Sequence, residues 1–173
     1  MRSYYPISFA VLLEAMLPFF LVFEGKRSAA RELVVIASLC ALGVAGRAAF
    51  FMLPQCKPVL ALTILSGVSL GGEAGFLVGA VTMLASNVLF SQGPWTPWQM
   101  FGMGLCGFLA GLAFRMGSLP KKRCPLCVFG AVSAFAVYGV LLNAYSALLA
   151  TGTLTWESLA VYCASGFAMD AVQ

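Results

Sequence analysis

Long apolar stretches separated by short polar segments dominate the chain. In order, the apolar runs cover residues 7–23, 33–53, 59–72, 74–90, 100–114, 126–150 and 159–173. An α-helix needs about 20 residues to cross a hydrocarbon core about 30 Å thick, and somewhat shorter helices cross where the bilayer thins. The pattern therefore predicts an all-α fold, a polytopic membrane helix bundle with one helix in each run.

The stretch of residues 59–90 fits either one long helix or two short helices that turn at Gly71, Gly72 and Glu73. Lys and Arg are enriched in cytoplasmic loops, and here they cluster in the connections at 24–32 and 115–125. Only two helices within 59–90 bring both basic connections to the same side of the membrane. We therefore predict two helices there, an N-terminus outside the cell, and both basic loops in the cytoplasm.

The two ends of the chain differ from the runs between them. Glu14 interrupts the first run and Glu24-Gly25-Lys26-Arg27 follows it, which is not the pattern of a cleavable signal peptide. We interpret residues 1–30 as an extra transmembrane helix with its basic loop, and residues 31–173 as the core. The last run, 159–173, is shorter than the roughly 17–25 residues of most spans, so we expect a truncated final helix. A genuine short terminal helix is the alternative.

Composition excludes a soluble globule. The 173 residues are 61% hydrophobic and 9% charged, with a net charge of +4, whereas soluble domains average about 45–50% apolar and about 25% charged residues. The chain contains no histidine, which removes imidazole catalysis and histidine-based metal sites. With few acids as well, a membrane enzyme is disfavoured. We expect no catalytic residues, no metal and no cofactor.

One motif that is missing and one that is present bear on the class of protein. No G-x-x-x-x-G-K-[ST] motif occurs, so the chain is not itself a P-loop ATPase, and another polypeptide must hydrolyse any ATP that drives it. Cys124 and Cys127 form a C-x-x-C motif, but no second cysteine pair and no histidine complete a zinc site around it. We interpret these two cysteines as incidental.

Alanine recurs every four residues in the second run, at Ala37, Ala41, Ala45 and Ala49. Residues four apart lie on one face of a helix, so this row forms a shallow groove. In lipid, small residues let a second helix approach closely, and such contacts hold helices together. The groove suits a partner protein or another helix of the same bundle, and the spacing alone fits both uses.

Arg47 lies in the same run, six residues before its outer end. A charge at the centre of a membrane helix costs roughly 2.5–3.5 kcal/mol on insertion scales, so such a residue faces a polar interior or reaches out to the interface. We expect Arg47 to face a pocket, with outward snorkelling as the alternative. Asn87, near the outer end of the fourth run, is placed to pair across the bundle or to reach the same pocket.

The connection at residues 91–99 has the sequence SQGPWTPWQ. Proline fixes φ and removes a backbone donor, so Pro94 and Pro97 predict a rigid, non-helical loop. Tryptophan rings stack on flat organic ligands, and amide groups hydrogen-bond to them. An aromatic belt at the membrane interface is the alternative. The loop chemistry favours ligand contact: Trp95 and Trp98 offer flat apolar faces, and Gln92, Thr96 and Gln99 offer amide and hydroxyl groups.

Several motifs over about residues 31–173 resemble those of the S components of energy-coupling factor (ECF) vitamin transporters. They are the Arg31-Glu-Leu-Val start of the helix that carries the alanines, GRAAFFMLPQCKP at 46–58, GFLVGA at 75–80, Ser86-Asn87 and QGPWTPWQM at 92–100. Within this family the likeness is greatest to the branch that includes cobalamin-type S components.

The resemblance implies a fold and a function. S components have six helices, capture a micronutrient from outside, and deliver it through a transmembrane coupling subunit and two cytoplasmic ATPase subunits. It therefore implies a plasma-membrane transporter subunit that binds a vitamin, cobalamin-like as the first expectation, with no nucleic acid. It implies that the alanine row contacts the coupling subunit, and that the substrate-binding residues are Arg47, Phe50, Gln55, Asn87, Gln92, Trp95, Trp98 and Gln99. The extra first helix and the short last helix depart from the six-helix pattern.

Two other classes stay open. A structural or assembly protein of the membrane would use the small-residue faces for its partners and bind no ligand. A stand-alone carrier would need titratable groups at mid-membrane, and the candidates, Glu14 and Asp170, lie on the two terminal helices.

Overall fold

A computed structural model describes residues 30–50, 58–90, 92–115, 119–152 and 155–170, with isolated positions between 10 and 21. Every regular element within these ranges is helical, which confirms the all-α prediction. The helices are α1 (Ala30–Ala49), α2 (Val59–Leu70), α3 (Gly72–Phe90), α4 (Thr96–Arg115), α5 (Arg123–Val132), α6 (Val140–Thr151) and α7 (Trp156–Asp170). A π-helical segment, Ser133–Gly139, joins α5 to α6 without a break. The predicted first span, 7–23, lies mostly outside the described residues.

Four of the described helices are long and apolar enough to cross a membrane. They are α1, α3, α4 and the continuous helix Arg123–Thr151, whereas α2 is a shorter apolar helix of 12 residues. Large apolar side chains stand exposed on their outer faces, among them Leu33, Val88 and Leu89. A lipid environment accepts such side chains at no cost, because lipid tails are as apolar as leucine.

The chain reverses direction at Gly71, as the prediction of two helices in 59–90 requires. Gly71 has φ +118°, a conformation that L side chains rarely adopt, and it separates α2 from α3. Gly67 and Gly75 then lie so close that a Cβ atom on Gly75 would come within 2.6 Å of the Gly67 Cα. In one continuous helix these two residues would be about 12 Å apart along the axis.

The expectation of a non-helical loop through residue 99 is wrong in part. Helix α4 begins at Thr96, so Pro97, Trp98 and Gln99 belong to its first turn. The amide groups in the first turn of a helix have no intrahelical acceptor, so proline is tolerated there although it breaks a helix interior. Pro97 therefore accompanies the start of α4 and does not exclude a helix.

Helices α2, α3 and α4 pack through glycines. A Cβ atom on Gly75 would lie 2.7 Å from the Gly107 carbonyl oxygen, and one on Gly79 would lie 2.7 Å from the Met103 carbonyl oxygen. Backbones can approach this closely only where no side chain intervenes. This contact fixes α3 against α4, and it thereby positions the ends of both helices where the polar residues described below are found.

Replacing Gly75 with alanine should destabilise the bundle by about 1–3 kcal/mol, because its methyl group would overlap backbone atoms that have no rotamer with which to retreat. Gly130, in α5, is the matched control. The nearest atom to a Cβ there is Ile64 Cδ1 at 3.7 Å, so alanine fits without displacement. Thermal unfolding in detergent should show a clearly lower midpoint for Gly75→Ala alone. Equal midpoints for the two variants would contradict the close approach of α3 and α4.

The described core has two parts. The larger joins α2, α3, α4 and the π-helical segment, and its fully buried members include Phe76, Met83 and Phe114. The smaller lies between α1 and α3, where Ile36 and Cys40 pack against Ala74 and Val78. Met16, a described helical residue of the N-terminal segment, is only 2% exposed and belongs to the larger cluster.

Candidate functional site

Arg47 turns inward from the last turn of α1 and binds the side of α3. Its Nη1 donates to Ser86 Oγ at 2.6 Å and to Asn87 Oδ1 at 2.9 Å, and it lies 3.3 Å from Met83 Sδ. Met83, Ser86 and Asn87 are three or four residues apart or adjacent, so one face of α3 presents all three. The Arg47 side chain therefore faces the interior of the bundle. All three partners are neutral, so its charge meets no carboxylate among them.

Asn87 links α3 to α4. Its side chain is 1% exposed, and its Nδ2 donates to Thr96 Oγ1 at 3.2 Å and to Gln99 Oε1 at 2.8 Å. Together with the hydrogen bond from Arg47, both ends of the Asn87 amide are occupied. A buried amide in a low-dielectric interior is costly unless it is satisfied, so this arrangement holds three helix ends in register.

Thr96 closes the turn that precedes α4. Its backbone N–H donates to the Gly93 carbonyl oxygen at 3.0 Å, and its Oγ1 accepts from the Gly93 N–H at 3.3 Å. The Thr96 hydroxyl donates in turn to Gln92 Oε1 at 2.9 Å. The turn is therefore fixed by side-chain hydrogen bonds and by Pro94 within it.

We call the six residues connected in this way the polar network: Arg47, Ser86, Asn87, Gln92, Thr96 and Gln99. Ser86, Asn87 and Thr96 are buried, Arg47 and Gln99 are half-buried, and Gln92 is exposed. The network thus runs from the core of the bundle to its surface, and it is formed by α1, α3, α4 and the turn before α4.

Two tryptophans lie beside the network. Trp98 projects from the first turn of α4 towards α6, where its ring lies 5.7 Å from the ring of Tyr145 at an interplanar angle of 39°. Trp95 folds over its own turn, and a Cβ atom at Gly93 would overlap its ring. Both tryptophans are half-buried. Each therefore keeps part of an aromatic surface available next to the amide groups of Gln92 and Gln99.

The structure brings together most of the residues that the sequence singled out, but not all of them. Arg47, Asn87, Gln92 and Gln99 share the polar network, and Trp95 and Trp98 flank it. Phe50, just after the end of α1, is 40% exposed and belongs to neither group. Gln55 lies outside the described residues.

Ser86, Thr96, Met83 and Tyr145 were not in the substrate-binding set that the resemblance implied, although the loop chemistry included the Thr96 hydroxyl. A signal for the first two was present: Ser86 precedes Asn87 inside an apolar helix, and Thr96 stands between the two tryptophans. Met83 and Tyr145 carry no such signal, because methionine and tyrosine at helical spacing are ordinary core residues. Only the packing of α1 and α6 against the site identifies them.

The alanine row lies on the opposite side of α1 from its packed face. Ala37, Ala41, Ala45 and Ala49 are all exposed, whereas Ile36, Cys40 and Gly43 are buried. Gly43 sits against Thr82 of α3, where a Cβ atom would come within 2.7 Å of its Cγ2. The face of α1 that packs inside the bundle is therefore not the alanine face.

Comparison with known proteins gives consistent results. A family model described as "ECF-type riboflavin transporter, S component" matches residues 27–169. A UPF0397 protein from Vibrio atlanticus (strain LGP32) is 32% identical over 123 residues, which cover 64% of this chain and 67% of that protein. No solved structure matches the chain.

Proposed function

Because the chain belongs to the family of ECF-type riboflavin transporter S components, a family of multi-pass membrane proteins, we propose that it captures a vitamin outside the cell and releases it through a separate module. Such subunits work with a transmembrane coupling subunit and ATPases, and they are not enzymes. The observation that carries the proposal is the polar network beside Trp95 and Trp98, which joins hydrogen-bonding amides to aromatic surface.

The substrate that we propose is riboflavin. The family description supports it, and it gives no support to the expectation of a cobalamin-like ligand. The chemistry of the site is compatible, because a flat ring system can stack on a half-buried tryptophan while its polar edge meets Gln92, Gln99 and Arg47. Phe50 and Gln55 complete the proposed substrate-binding set from the end of α1 and the segment after it.

The partner surface that we propose is the alanine row, Ala37, Ala41, Ala45 and Ala49. Its exposure and small size support this assignment, because a helix of the coupling subunit could approach the α1 backbone closely there. The proposed orientation has the N-terminus outside and the basic loops 24–32 and 115–125 in the cytoplasm, with residues 1–30 as a segment added to the core at 31–173. The Lys and Arg distribution supports it.

Titration of the detergent-purified protein with riboflavin should give a saturable change in tryptophan fluorescence, because Trp95 and Trp98 flank the proposed site. The panel should include cobalamin, thiamin, folate, biotin and pantothenate, with inner-filter corrections for the absorbing ligands. A response to riboflavin alone supports the proposal. Saturable binding of cobalamin instead would restore the earlier expectation, and no saturable response to any vitamin would favour a structural protein.

Removing the two tryptophans tests the location of the site. We expect Trp95→Ala combined with Trp98→Ala to abolish riboflavin binding in isothermal titration calorimetry, which does not depend on the lost fluorophores. Trp156→Phe is the matched control, because Trp156 is 87% exposed at the start of α7 and lies outside the polar network. Unchanged affinity in the double variant would contradict this placement.

A further inference from the structure

The hydrogen bonds of the polar network have a direction that is set by Arg47. A guanidinium group can only donate, so the Asn87 atom that Nη1 contacts at 2.9 Å must be the carbonyl oxygen. The Asn87 amide nitrogen then points towards α4, where it donates to Thr96 Oγ1 and Gln99 Oε1. The orientation of Gln99 follows, because its oxygen must face Asn87.

The same direction continues into the turn before α4. Thr96 Oγ1 already accepts from Asn87 Nδ2 at 3.2 Å and from the Gly93 N–H at 3.3 Å. The Thr96 hydroxyl therefore donates its own hydrogen outward, to Gln92 Oε1 at 2.9 Å. Both glutamines thus turn their oxygens into the network and their amide nitrogens away from it.

The groups left over at the edge of the network are donors. Each amide oxygen of the network accepts a hydrogen bond, whereas Gln92 Nε2, Gln99 Nε2 and Arg47 Nη2 donate to no acceptor among the described residues. Gln92 is exposed, and Gln99 and Arg47 are half-buried, so water can satisfy these donors while the site is empty. A ligand that covers them must replace that water or leave buried donors unpaired, which costs free energy.

We propose that the site selects a ligand whose contacting edge carries acceptor oxygens, carbonyl or carboxylate, and rejects one that presents donors there. The inference rests on the proposed function, because it takes the polar network as part of the vitamin site. A site that presents donors discriminates strongly against a ligand that also presents donors, since the mismatched polar groups stay buried and unpaired. The two ring carbonyl oxygens of riboflavin are acceptors of this kind, and the N3–H between them is the one donor on that edge.

A double-mutant cycle in the ligand-free protein tests the direction of the network. Gln92→Glu keeps an acceptor for the Thr96 hydroxyl and makes it charged, which strengthens that hydrogen bond. Thr96→Val should therefore lower the melting temperature by more in the Gln92→Glu background than in the wild type. The cycle cancels the separate effects of each change. A smaller decrease in melting temperature on Thr96→Val in the Gln92→Glu background than in the wild type would overturn the inference, whatever the protein binds.

Riboflavin titration of two charge variants tests the ligand class. Gln92→Glu and Gln99→Glu each replace an outward donor with an acceptor and preserve the inward oxygen, so we expect each to weaken riboflavin binding at least about tenfold. Gln92→Met removes the donor without adding an acceptor, so its riboflavin affinity should fall by less than that of Gln92→Glu. Equal or tighter binding by either glutamate variant overturns the inference. If wild-type protein binds no riboflavin, the proposed substrate is wrong, and the melting-temperature cycle still decides the direction of the network.

Discussion

Replacing Arg47 with leucine is expected to lower the affinity for riboflavin at least about a hundredfold, equivalent to about 2.7 kcal/mol. The change removes a donor that the proposed ligand needs, and it also removes the group that holds Ser86 and Asn87. Without the guanidinium group, the Asn87 amide can rotate and turn its oxygen towards α4. There it would face the oxygens of Thr96 and Gln99, which in the wild type accept hydrogen bonds from Asn87 Nδ2. Hydrogen bonds to charged groups are worth about 1.5–3 kcal/mol each, so losing them accounts for an effect of this size.

The measurement is calorimetric titration of folded protein, with thermal unfolding recorded for each variant. Arg123→Gln is the control, because it also removes an arginine charge but lies exposed at the start of α5. Arg47→Lys should be intermediate, since lysine keeps the charge and loses the planar, forked geometry of the guanidinium group. Binding by Arg47→Leu within threefold of wild type would show that the guanidinium is structural and not part of the ligand site.

The second large effect is expected on the alanine row. Ala41→Trp and Ala45→Trp should each reduce vitamin uptake by cells to less than about a tenth of the wild-type rate and leave binding by the purified subunit unchanged. Both residues are exposed on α1 and neither belongs to the polar network, so a large side chain there blocks the approach of another helix without disturbing the site.

Val35→Trp provides the matched control. Val35 is 44% exposed on α1, but it points about 120° away from Ala41 and about 80° away from Ala45 around the helix. We expect normal uptake from this variant. Co-purification of the ATPase subunits with Ala41→Trp at the wild-type level would contradict the assignment of the row to the coupling subunit. Loss of uptake in all three variants would indicate a general effect of tryptophan on α1.

The sequence by itself determined the class of the fold. It also determined the six helices described from residue 30 onwards, with Arg123–Thr151 counted as one continuous helix. Apolar runs of near-membrane length specify helices because a single segment can satisfy all of its own backbone hydrogen bonds in lipid only as a helix. The pair of glycines at 71 and 72, with the distribution of basic residues, was enough to predict the reversal between α2 and α3. The predicted start of α4 was wrong: α4 begins at Thr96 although Pro97 follows, because the rule against proline in helices does not hold in a first turn.

The candidate site divides in the same way. Residue type and position indicated four of its members. Arg47 and Asn87 stood out because charged and amide groups are costly in an apolar helix, and Gln92 and Gln99 because they lie beside the tryptophans of the connection at 91–99. The sequence did not reveal that these four form one network, since Arg47 and Asn87 are 40 positions apart. It also did not reveal Ser86 and Thr96 as the links between them. Those pairings depend on how close α1 comes to α3 and α3 to α4, which the glycine contacts set.

Only the tertiary structure decided which face of α1 is buried and which way the amides point. The four-residue spacing of alanines fits an internal contact as well as an external one. Ile36, Cys40 and Gly43 occupy the internal contact, and this leaves the alanines exposed. The direction of the network likewise follows from a contact in space: a guanidinium group that can only donate meets an amide that can present either end, and the rest of the chain of hydrogen bonds must follow.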